Sequence, residues 1–294
     1  MKALSVVLAL TLFSATLCSA AAATQEITPQ EQKSLEQILG RAGERQPDGA
    51  VKFGFPRSDL HVTVRGTPIA AGLALGGWIA FFPAQGNTMA MGDLVLTEEE
   101  LPKVLAKLSG SPVEVTAVHN HLVGESPRVM YAHVAGKGEA GALARAFAAA
   151  LHETAIPAPG AASTATLAVE QKAIESCMGR AGKVKGAVLS FSAPPPAPVT
   201  EDGAAIPNSA GVSTAINMQF PAAGRALATG DFVLRGEQVQ PVAAALLSGG
   251  IQVTALHSHM LHESPRLFFM HFWADGAPES VCGTLHKALS AAGH

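Results

Sequence analysis

The sequence predicts an α+β protein made of two tandem homologous repeats, each an antiparallel sheet with flanking helices and a histidine-bearing β-hairpin. Three observations predict this class: the second half of the chain repeats the first, strand-like runs alternate with capped helices, and each half holds one histidine-rich stretch. The two stretches are VTAVHNHLVGESPRVMYAH at 115–133 and VTALHSHMLHESPRLFFMH at 253–271. They are identical at ten of nineteen positions and contain seven of the eleven histidines.

The duplication covers almost the whole chain. At an offset of 138 residues, the dipeptides FP and GD at 82 and 92 recur, and the register continues through both histidine stretches. Since each repeat is one structural unit, the duplication defines the boundaries. We predict a signal peptide at 1–23, a first repeat at 24–154, a linker of small residues and prolines at 155–166, and a second repeat at 167–294.

The first repeat predicts two capped helices with strands between them. Thr28 and Glu31 form a capping box around Pro29, so a helix should run to about Arg41. The runs AVKFGF, LHVTVRG, GGWIAFF and AMGDLVL are strand-like. A second capping box at 97–100 opens a helix whose leucines and valine recur at core spacing.

The histidine stretch predicts a β-hairpin that leads into the last helix of the repeat. We expect a strand through His121, a turn around 124–127, a strand from Arg128 to about Ala135, and an alanine-rich helix at 140–153. Residues two apart in a strand face the same side, whereas in a helix they would point about 200° apart. The His-x-His spacing therefore converges only on a strand.

The candidate metal ligands are three histidines in each repeat. If the turn is centred near Glu125, His133 lies diagonal to His119 and can face the same side; a slip of one residue would turn it away. Imidazoles and a carboxylate suit Zn, Fe, Mn or Cu as a divalent transition metal. The competing interpretation is that the imidazoles are hydrogen-bonded core residues. The predicted ligands are His119, His121, His133, His257, His259 and His271.

Other polar residues of the two stretches have candidate roles around such a site. Glu125 and Glu263 are candidate catalytic bases, or further metal ligands. Arg128 and Arg266 could bind a carboxylate or phosphate, or pair with the glutamate three residues earlier and lock the turn. We expect Asp93 and Asp231 to cap backbone groups rather than act as bases. Tyr131 is a candidate substrate-binding residue in one repeat only, since Phe269 replaces it in the other.

Composition and the cysteines bear on compartment and partners. A net charge of −3 without a Lys/Arg run argues against a basic surface that binds nucleic acid. No segment is long and apolar enough to predict a transmembrane helix. The predicted signal peptide indicates a periplasmic or secreted protein. Leu17 before Cys18 argues against a lipid anchor. Cys177 and Cys282 could form one disulfide or remain two buried thiols.

The two halves resemble a known family. The segments GDLVLTEEELPKVLAKL, GDFVLRGEQVQPVAAAL and both histidine stretches are similar, in the same order, to the duplicated LppY/LpqO family, domain of unknown function 1259. The resemblance covers about 30–290 and implies an exported bacterial protein, without implying an activity. His-x-His-x3-Glu also resembles the first cupin motif, but the flanking glycines and the second cupin motif are absent.

These observations lead to two hypotheses of different class. The first is an exported protein that binds a divalent metal through its hairpins and possesses hydrolase activity through metal-bound water. The alternative is a non-catalytic module that binds a small anion or a cell-envelope component and uses its histidines structurally. Three protein ligands plus water would favour catalysis, and a closed shell of four would favour storage or structure. In both hypotheses the two repeats pack on each other.

Overall fold

The computed structural model describes residues 26–160 and 166–294. The predicted signal peptide with Cys18, and residues 161–165 of the predicted linker, lie outside the described residues. The elements of the first repeat are α1 (Pro29–Leu39), β1 (Glu44–Arg45), β2 (Val51–Pro56), β3 (Thr63–Val64), β4 (Thr67–Pro68), α2 (Ala71–Ala74), β5 (Gly76–Ala84), β6 (Asn87–Thr97), α3 (Leu101–Leu108), β7 (Val113–His119), β8 (Glu125–Ser126), β9 (Val129–Gly138) and α4 (Ala140–Leu151).

The second repeat has the same order of main elements. It consists of α5 (Gln171–Met178), β10 (Lys183–Lys185), β11 (Val188–Ala193), β12 (Thr200–Glu201), β13 (Ala204–Ala205), a 3-10 turn (Asn208–Ala210), β14 (Thr214–Ala222), β15 (Arg225–Leu234), α6 (Gly236–Ser248), β16 (Gln252–His257), β17 (Glu263–Ser264), β18 (Phe268–Gly276) and α7 (Pro278–Ala291).

Each repeat builds one six-stranded antiparallel sheet. The strand order is β1-β2-β5-β6-β9-β7 in the first repeat and β10-β11-β14-β15-β18-β16 in the second. Helices α1, α3 and α4 bury apolar side chains against one face of the first sheet, and α5, α6 and α7 do so on the second. The predicted α+β class with two tandem repeats is therefore confirmed.

Side chains that cap the unpaired N–H groups of the first turn determine where the helices begin. Thr28 and Glu31 form the predicted capping box, and α1 begins at Pro29. In the second box the Thr97 hydroxyl accepts from the Glu100 N–H, and the Glu100 carboxylate accepts from the Thr97 N–H. The helix after it nevertheless begins only at Leu101, later than the pattern predicts.

The strands around the histidine turn differ from the prediction. The run LHVTVRG contributes only Thr63 and Val64, which pair with β8 in a separate three-stranded sheet, β4-β3-β8. Because the turn residues join that small sheet, β7 leaves the main sheet at His119 and does not continue through His121. The second repeat forms the equivalent small sheet, β13-β12-β17.

The inner faces of the two large sheets pack against each other. One interface core joins Phe82 and Met89 of the first repeat to Met260 and Phe269 of the second. Another core joins Tyr131 of the first repeat to second-repeat residues that include Leu227 and Trp273. Strands β9 and β18, which carry His133 and His271, are largely buried, so the packing of this interface positions the site.

Backbone and side-chain hydrogen bonds also cross the interface. The Ala70 N–H donates to Gln219 Oε1 at 2.7 Å, and the Asn217 amide donates to the Leu73 carbonyl at 3.1 Å. The Thr254 hydroxyl donates to the carbonyl of His121 at 2.6 Å. Among the described residues, no helix is long and apolar enough to cross a membrane.

A disulfide closes the second repeat. Cys177 of α5 is bonded to Cys282 of α7, across 105 residues of sequence. This resolves the alternative between a disulfide and two free thiols. The bond ties the helix that begins the repeat to the helix that ends it.

Loss of this disulfide is expected to lower the free energy of unfolding by about 2–4 kcal/mol, because the unfolded chain gains freedom when so long a loop is opened. Urea unfolding with and without dithiothreitol measures this. The Cys177→Ala/Cys282→Ala variant is the control, since reductant should leave its stability unchanged. Equal stability of reduced and oxidised wild type would contradict the prediction.

Candidate metal centre

Strand register places two histidines of each repeat on one side of its hairpin, and a third follows just after the first strand. In β7 and β9, Ala117 faces His133 and His119 faces Tyr131, so His119 and His133 are diagonal neighbours. His121 follows the end of β7, and its ring centroid lies 5.0 Å from that of His119. His119 and His133 are also 5.0 Å apart. We call these three residues the first trio.

The second repeat reproduces this arrangement. The register pairs Ala255 with His271 and His257 with Phe269. The ring of His257 lies 4.8 Å from that of His259 and 4.9 Å from that of His271. We call His257, His259 and His271 the second trio.

The two trios meet at the interface between the repeats and form a single cluster. Each ring of the first trio lies against one ring of the second. The centroid distances are 3.6 Å for His119 and His257, 3.9 Å for His121 and His271, and 3.5 Å for His133 and His259. The sequence left open whether there is one composite site or two separate ones, and the geometry brings all six rings together.

The Nε2 atoms of all six histidines are buried and have no hydrogen-bond partner among the described residues. At His271 the other ring nitrogen, Nδ1, lies 2.9 Å from the carbonyl of Gly230. The Nδ1 atoms of His119 and His257 face the carbonyls of Asn120 and Ser258 at 3.4 Å. An Nδ1–H that donates to a carbonyl leaves the lone pair on Nε2, which is the state of a metal-binding histidine.

These nitrogen atoms converge closely enough to hold an ion. The candidate ligand atoms of the first trio all lie within 4.8 Å of one another. The same holds for a group made of the second trio and His119. By geometry, each group could hold a metal ion.

Burial keeps the cluster neutral. It lowers the pKa of all six histidines, because the low-dielectric surroundings disfavour the imidazolium, and repulsion between neighbouring imidazoliums lowers the pKa of most of them further. For His119 the pKa falls to about 3. At neutral pH the rings therefore carry free lone pairs, as metal binding requires.

Two aspartates lie beside the trios. Asp93 is the cross-strand partner of His133, and Asp231 is that of His271. Asp93 Oδ1 lies 3.8 Å from His133 Nε2, and Asp231 Oδ2 lies 3.7 Å from His259 Nε2. Burial raises the pKa of Asp93 to about 7, and burial together with the charge of Asp93 raises that of Asp231.

The prediction that these aspartates cap backbone groups was wrong. Asp93 and Asp231 lie in the middle of β6 and β15, where the backbone N–H groups already pair with neighbouring strands. Their Oδ1 atoms are buried and have no hydrogen-bond partner among the described residues. The Gly-Asp dipeptide that recurs in both repeats could have indicated that the aspartates belong to the site. Their strand partners, however, are histidines forty residues farther along the chain.

Aromatic rings close two sides of the cluster. Tyr131 stacks on His121 at 3.4 Å between centroids, and Phe269 stacks on His259 at 3.6 Å. The Tyr131 hydroxyl donates to the carbonyl of Ala74 at 3.1 Å, and the residue is fully buried. The residue predicted to bind substrate is thus a wall of the histidine cluster, like its counterpart Phe269.

The structure does not bring Glu125 and Glu263 into the cluster. Glu263 accepts from the Leu267 N–H at 3.1 Å and from Arg266 at 3.2 Å, which is the turn-locking pair considered from the sequence. Glu125 accepts from the amide of Asn120 at 3.3 Å. These contacts favour a structural role at the turn, and catalysis by either glutamate stays a prediction.

The arginines lie on the surface near the turn. Arg128 is exposed and lies 3.9 Å from Glu98, not beside Glu125 as the turn-locking alternative expected. The side chain of Arg266 is also more than half exposed. Anion binding by these arginines has no supporting contact among the described residues and stays a prediction.

Fold and site together define a duplicated α+β protein with a histidine cluster between its repeats. The chain belongs to the family described as Domain of Unknown Function (DUF1259), whose model matches residues 33–153 and 172–291. The family resemblance in the sequence is thereby confirmed, with two copies in tandem. No curated protein matches the chain.

Two solved structures are only remotely similar. One is the trimeric bacterial microcompartment shell protein PduB, at 11% identity and a TM-score of 0.21, covering 85% of this chain and 89% of that one. The other is EtuB from Clostridium kluyveri, at 12% identity and a TM-score of 0.20, with the same coverage. Likenesses this weak carry no argument about function.

Proposed function

We propose that this protein binds a divalent transition metal through the histidine cluster at the interface between its repeats. One observation carries the proposal: six buried Nε2 atoms converge without a hydrogen-bond partner among the described residues. A buried polar atom without a partner costs free energy, and six such atoms in one place are difficult to explain as core packing. A bound ion would satisfy them.

The donor set limits the kind of ion. Neutral imidazoles suit Zn, Cu and Fe, and with neighbouring carboxylates also Mn, whereas Mg and Ca prefer shells of oxygen. The six histidines supply no thiolate, and the described cysteines, Cys177 and Cys282, are bonded to each other. Zn²⁺, Cu²⁺, Fe²⁺ and Mn²⁺ are therefore the ions to test.

Binding is better supported than hydrolysis. The two glutamates that the hydrolase hypothesis names as bases contact the turns instead, so the catalytic assignment made from the sequence has no support in these contacts. The alternative of a small-anion or cell-envelope ligand relies on arginines that lie outside the cluster. Metal binding requires only the six histidines that the structure brings together.

Export remains part of the proposal. A disulfide between Cys177 and Cys282 is typical of proteins from oxidising compartments, which supports a periplasmic or secreted location. A metal site of neutral imidazoles is compatible with such a compartment, since it needs no reduced thiol.

The test is the metal affinity of the protein and of two matched double variants. His119→Ala/His257→Ala removes the central pair of the cluster, and His61→Ala/His262→Ala removes two exposed histidines that lie outside it. Isothermal titration of metal-stripped protein should show high-affinity binding by wild type and the control. Loss of an outer-shell partner costs about 10–100-fold in metal affinity, so loss of two ligands should cost at least about 100-fold.

The proposal also predicts a rise in thermal stability. An ion that binds only the folded state stabilises it by mass action, so the midpoint should rise with metal concentration in wild type but not in His119→Ala/His257→Ala. Stripped wild type that binds none of the four ions, and gains no thermal stability from them, would end the proposal.

A further inference from the structure

We infer that the cluster is a two-ion centre in which each histidine trio, with one aspartate, holds its own ion. The ligands of the first ion would be His119, His121, His133 and Asp93. Those of the second would be His257, His259, His271 and Asp231. This inference rests on the proposed function and gives it a stoichiometry and two further ligands.

The number of donors exceeds what one ion takes. Six Nε2 atoms, Asp93 Oδ1 and Asp231 Oδ1 are all buried without a partner among the described residues. A tetrahedral zinc site uses about four protein ligands, and few transition-metal sites exceed about six. One ion would leave several of the eight atoms unsatisfied, whereas two ions with four ligands each would satisfy all of them.

The geometry of each trio matches a separate ion. The candidate ligand atoms of the first trio lie within 4.8 Å of one another, and so do those of the second trio together with His119. Each trio is thus compact enough to hold an ion of its own.

The spacing between the trios suits two neighbouring ions. The rings that face each other across the interface are 3.5 to 3.9 Å apart. Ions held by trios in such close contact would be neighbours, as in the two-metal centres of proteins.

The aspartates supply charge where two cations would need it. A pair of divalent ions in a buried site of neutral imidazoles carries a large uncompensated charge, and burying such charge is costly. Asp93 lies within 3.8 Å of a first-trio nitrogen, and Asp231 lies within 3.7 and 4.0 Å of two second-trio nitrogens. Each carboxylate therefore lies next to the trio of its own repeat.

A single shared ion is the competing arrangement. His119 also falls within the ligand-atom group of the second trio, so one ion could be held by His119, His257, His259 and His271. That ion would leave His121 and His133 with unpaired nitrogens and would give Asp93 no ligand role. The two arrangements differ in the number of ions per chain.

The deciding experiment is the stoichiometry of Zn²⁺ and Cu²⁺ on the full chain. Stripped wild type is titrated with Zn²⁺, excess ion is removed, and the metal per chain is measured by mass spectrometry. The expected value is two. One ion per chain would overturn the two-ion inference while leaving metal binding intact. Failure to retain any of Zn²⁺, Cu²⁺, Fe²⁺ and Mn²⁺ would overturn the proposed function itself.

Spectroscopy distinguishes neighbouring ions from a second ion on the surface. Two Cu²⁺ ions in one centre couple magnetically, so the resonance intensity per copper should fall well below that of isolated Cu²⁺ when the second equivalent binds. Two retained ions with full, uncoupled intensity would overturn the inference.

The aspartate variants test the proposed ligands. Asp93→Asn and Asp231→Asn should each weaken one of the two binding steps by about 10-fold or more and leave the other measurable. Asp202→Asn, which changes an exposed carboxylate, should leave both steps unchanged. Unchanged affinities for both steps in Asp93→Asn and Asp231→Asn would exclude the aspartates as ligands.

Discussion

The metal-free protein is expected to lose several kcal/mol of its free energy of unfolding when the pH falls from 7 to 5. The cause is the histidine cluster. Burial lowers the pKa of its six imidazoles below the ordinary value of 6.5, to about 3 for His119. The folded protein therefore keeps them neutral at a pH where the unfolded chain would protonate them.

The sign follows from proton uptake on unfolding. Stability from a depressed histidine pKa is fully present above pH 6.5 and is lost as the pH falls toward the folded pKa. Asp93 and Asp231 act in the opposite direction, because burial raises their pKa above 3.8, to about 7 for Asp93. They remain protonated in the folded state, so acid favours folding at these two sites.

The histidines outweigh the aspartates. Between pH 4 and 6.5, unfolding adds a proton at up to six imidazoles and releases one at two carboxyls, a net uptake of up to about four. Each proton changes stability by about 1.4 kcal/mol per pH unit, so the slope for four protons could reach about 5.6 kcal/mol per unit. A typical domain has only about 5–15 kcal/mol in total.

Urea unfolding of EDTA-treated protein at intervals from pH 7.5 to 4.5 measures this slope. Bound metal should move the loss of stability to lower pH, because protons and metal compete for the same nitrogens. His262→Ala is the control, because it removes an exposed histidine outside the cluster. A free energy of unfolding that is constant between pH 7 and 5 would contradict the neutral buried cluster.

Local sequence signals predicted the parts of this fold that local physics determines. The capping box at Thr28 involves neighbouring residues only, and the structure reproduces it. The prediction that the His-x-His pair needs a continuous strand was wrong: β7 ends at His119, and the His121 ring still lies 5.0 Å from that of His119. The hairpin register placed His133 diagonal to His119 because the turn fixes that pairing. Duplication extended the hairpin register to the second repeat, whereas the capping box is not repeated, since Glu170 before α5 makes no side-chain cap.

The convergence of the two trios could not be predicted in the same way. It depends on how the inner faces of two sheets pack, through contacts such as Phe82 with residues of the second repeat. No periodicity within one repeat encodes that arrangement. The role of Asp93 was missed for a related reason, since its cross-strand partner, His133, lies forty residues away and on another strand.

For the turn glutamates, the sequence suggested a proximity to the histidines that the structure does not show. Spacing alone placed Glu125 and Glu263 near the histidines, as His-x-His-x3-Glu suggests. In the structure each turn joins a small separate sheet, pairing Glu125 with Val64 and Glu263 with Glu201. Those small sheets have only two-residue strands, which are too short for hydrophobic periodicity to reveal.

Replacement of Arg57 by methionine is expected to cost about 3–5 kcal/mol in free energy of unfolding, because it leaves a largely buried carboxylate without its partner. The Arg57 side chain is fully buried. Its guanidinium donates to Glu100 at 2.6 Å, to Asp59 at 2.8 Å and to the Val95 carbonyl at 3.0 Å. Glu100 also accepts from the Ala155 N–H, beyond the end of α4.

The network joins several elements at one point, which explains the size of the effect. Arg57 follows β2, Val95 lies in β6, and Glu100 precedes α3. Burial by itself would raise the pKa of Glu100, but hydrogen bonds from backbone N–H groups and from Arg57 outweigh it and lower that pKa. Removal of the guanidinium takes away some of the hydrogen bonds that stabilise the charged Glu100 carboxylate, which remains buried.

Chemical denaturation of three variants tests this account. Arg57→Met should show the full loss, and Arg57→Met/Glu100→Gln should recover part of it, because the second change removes the unpaired charge. Arg225→Met is the matched control: it breaks the exposed pair of Arg225 with Asp275, whose side chains are 42% and 37% exposed respectively, and should cost much less than Arg57→Met. Equal losses in Arg57→Met and Arg225→Met would show that burial of the Arg57 network adds nothing. A double variant less stable than Arg57→Met would show that the unpaired carboxylate is not the source of the loss.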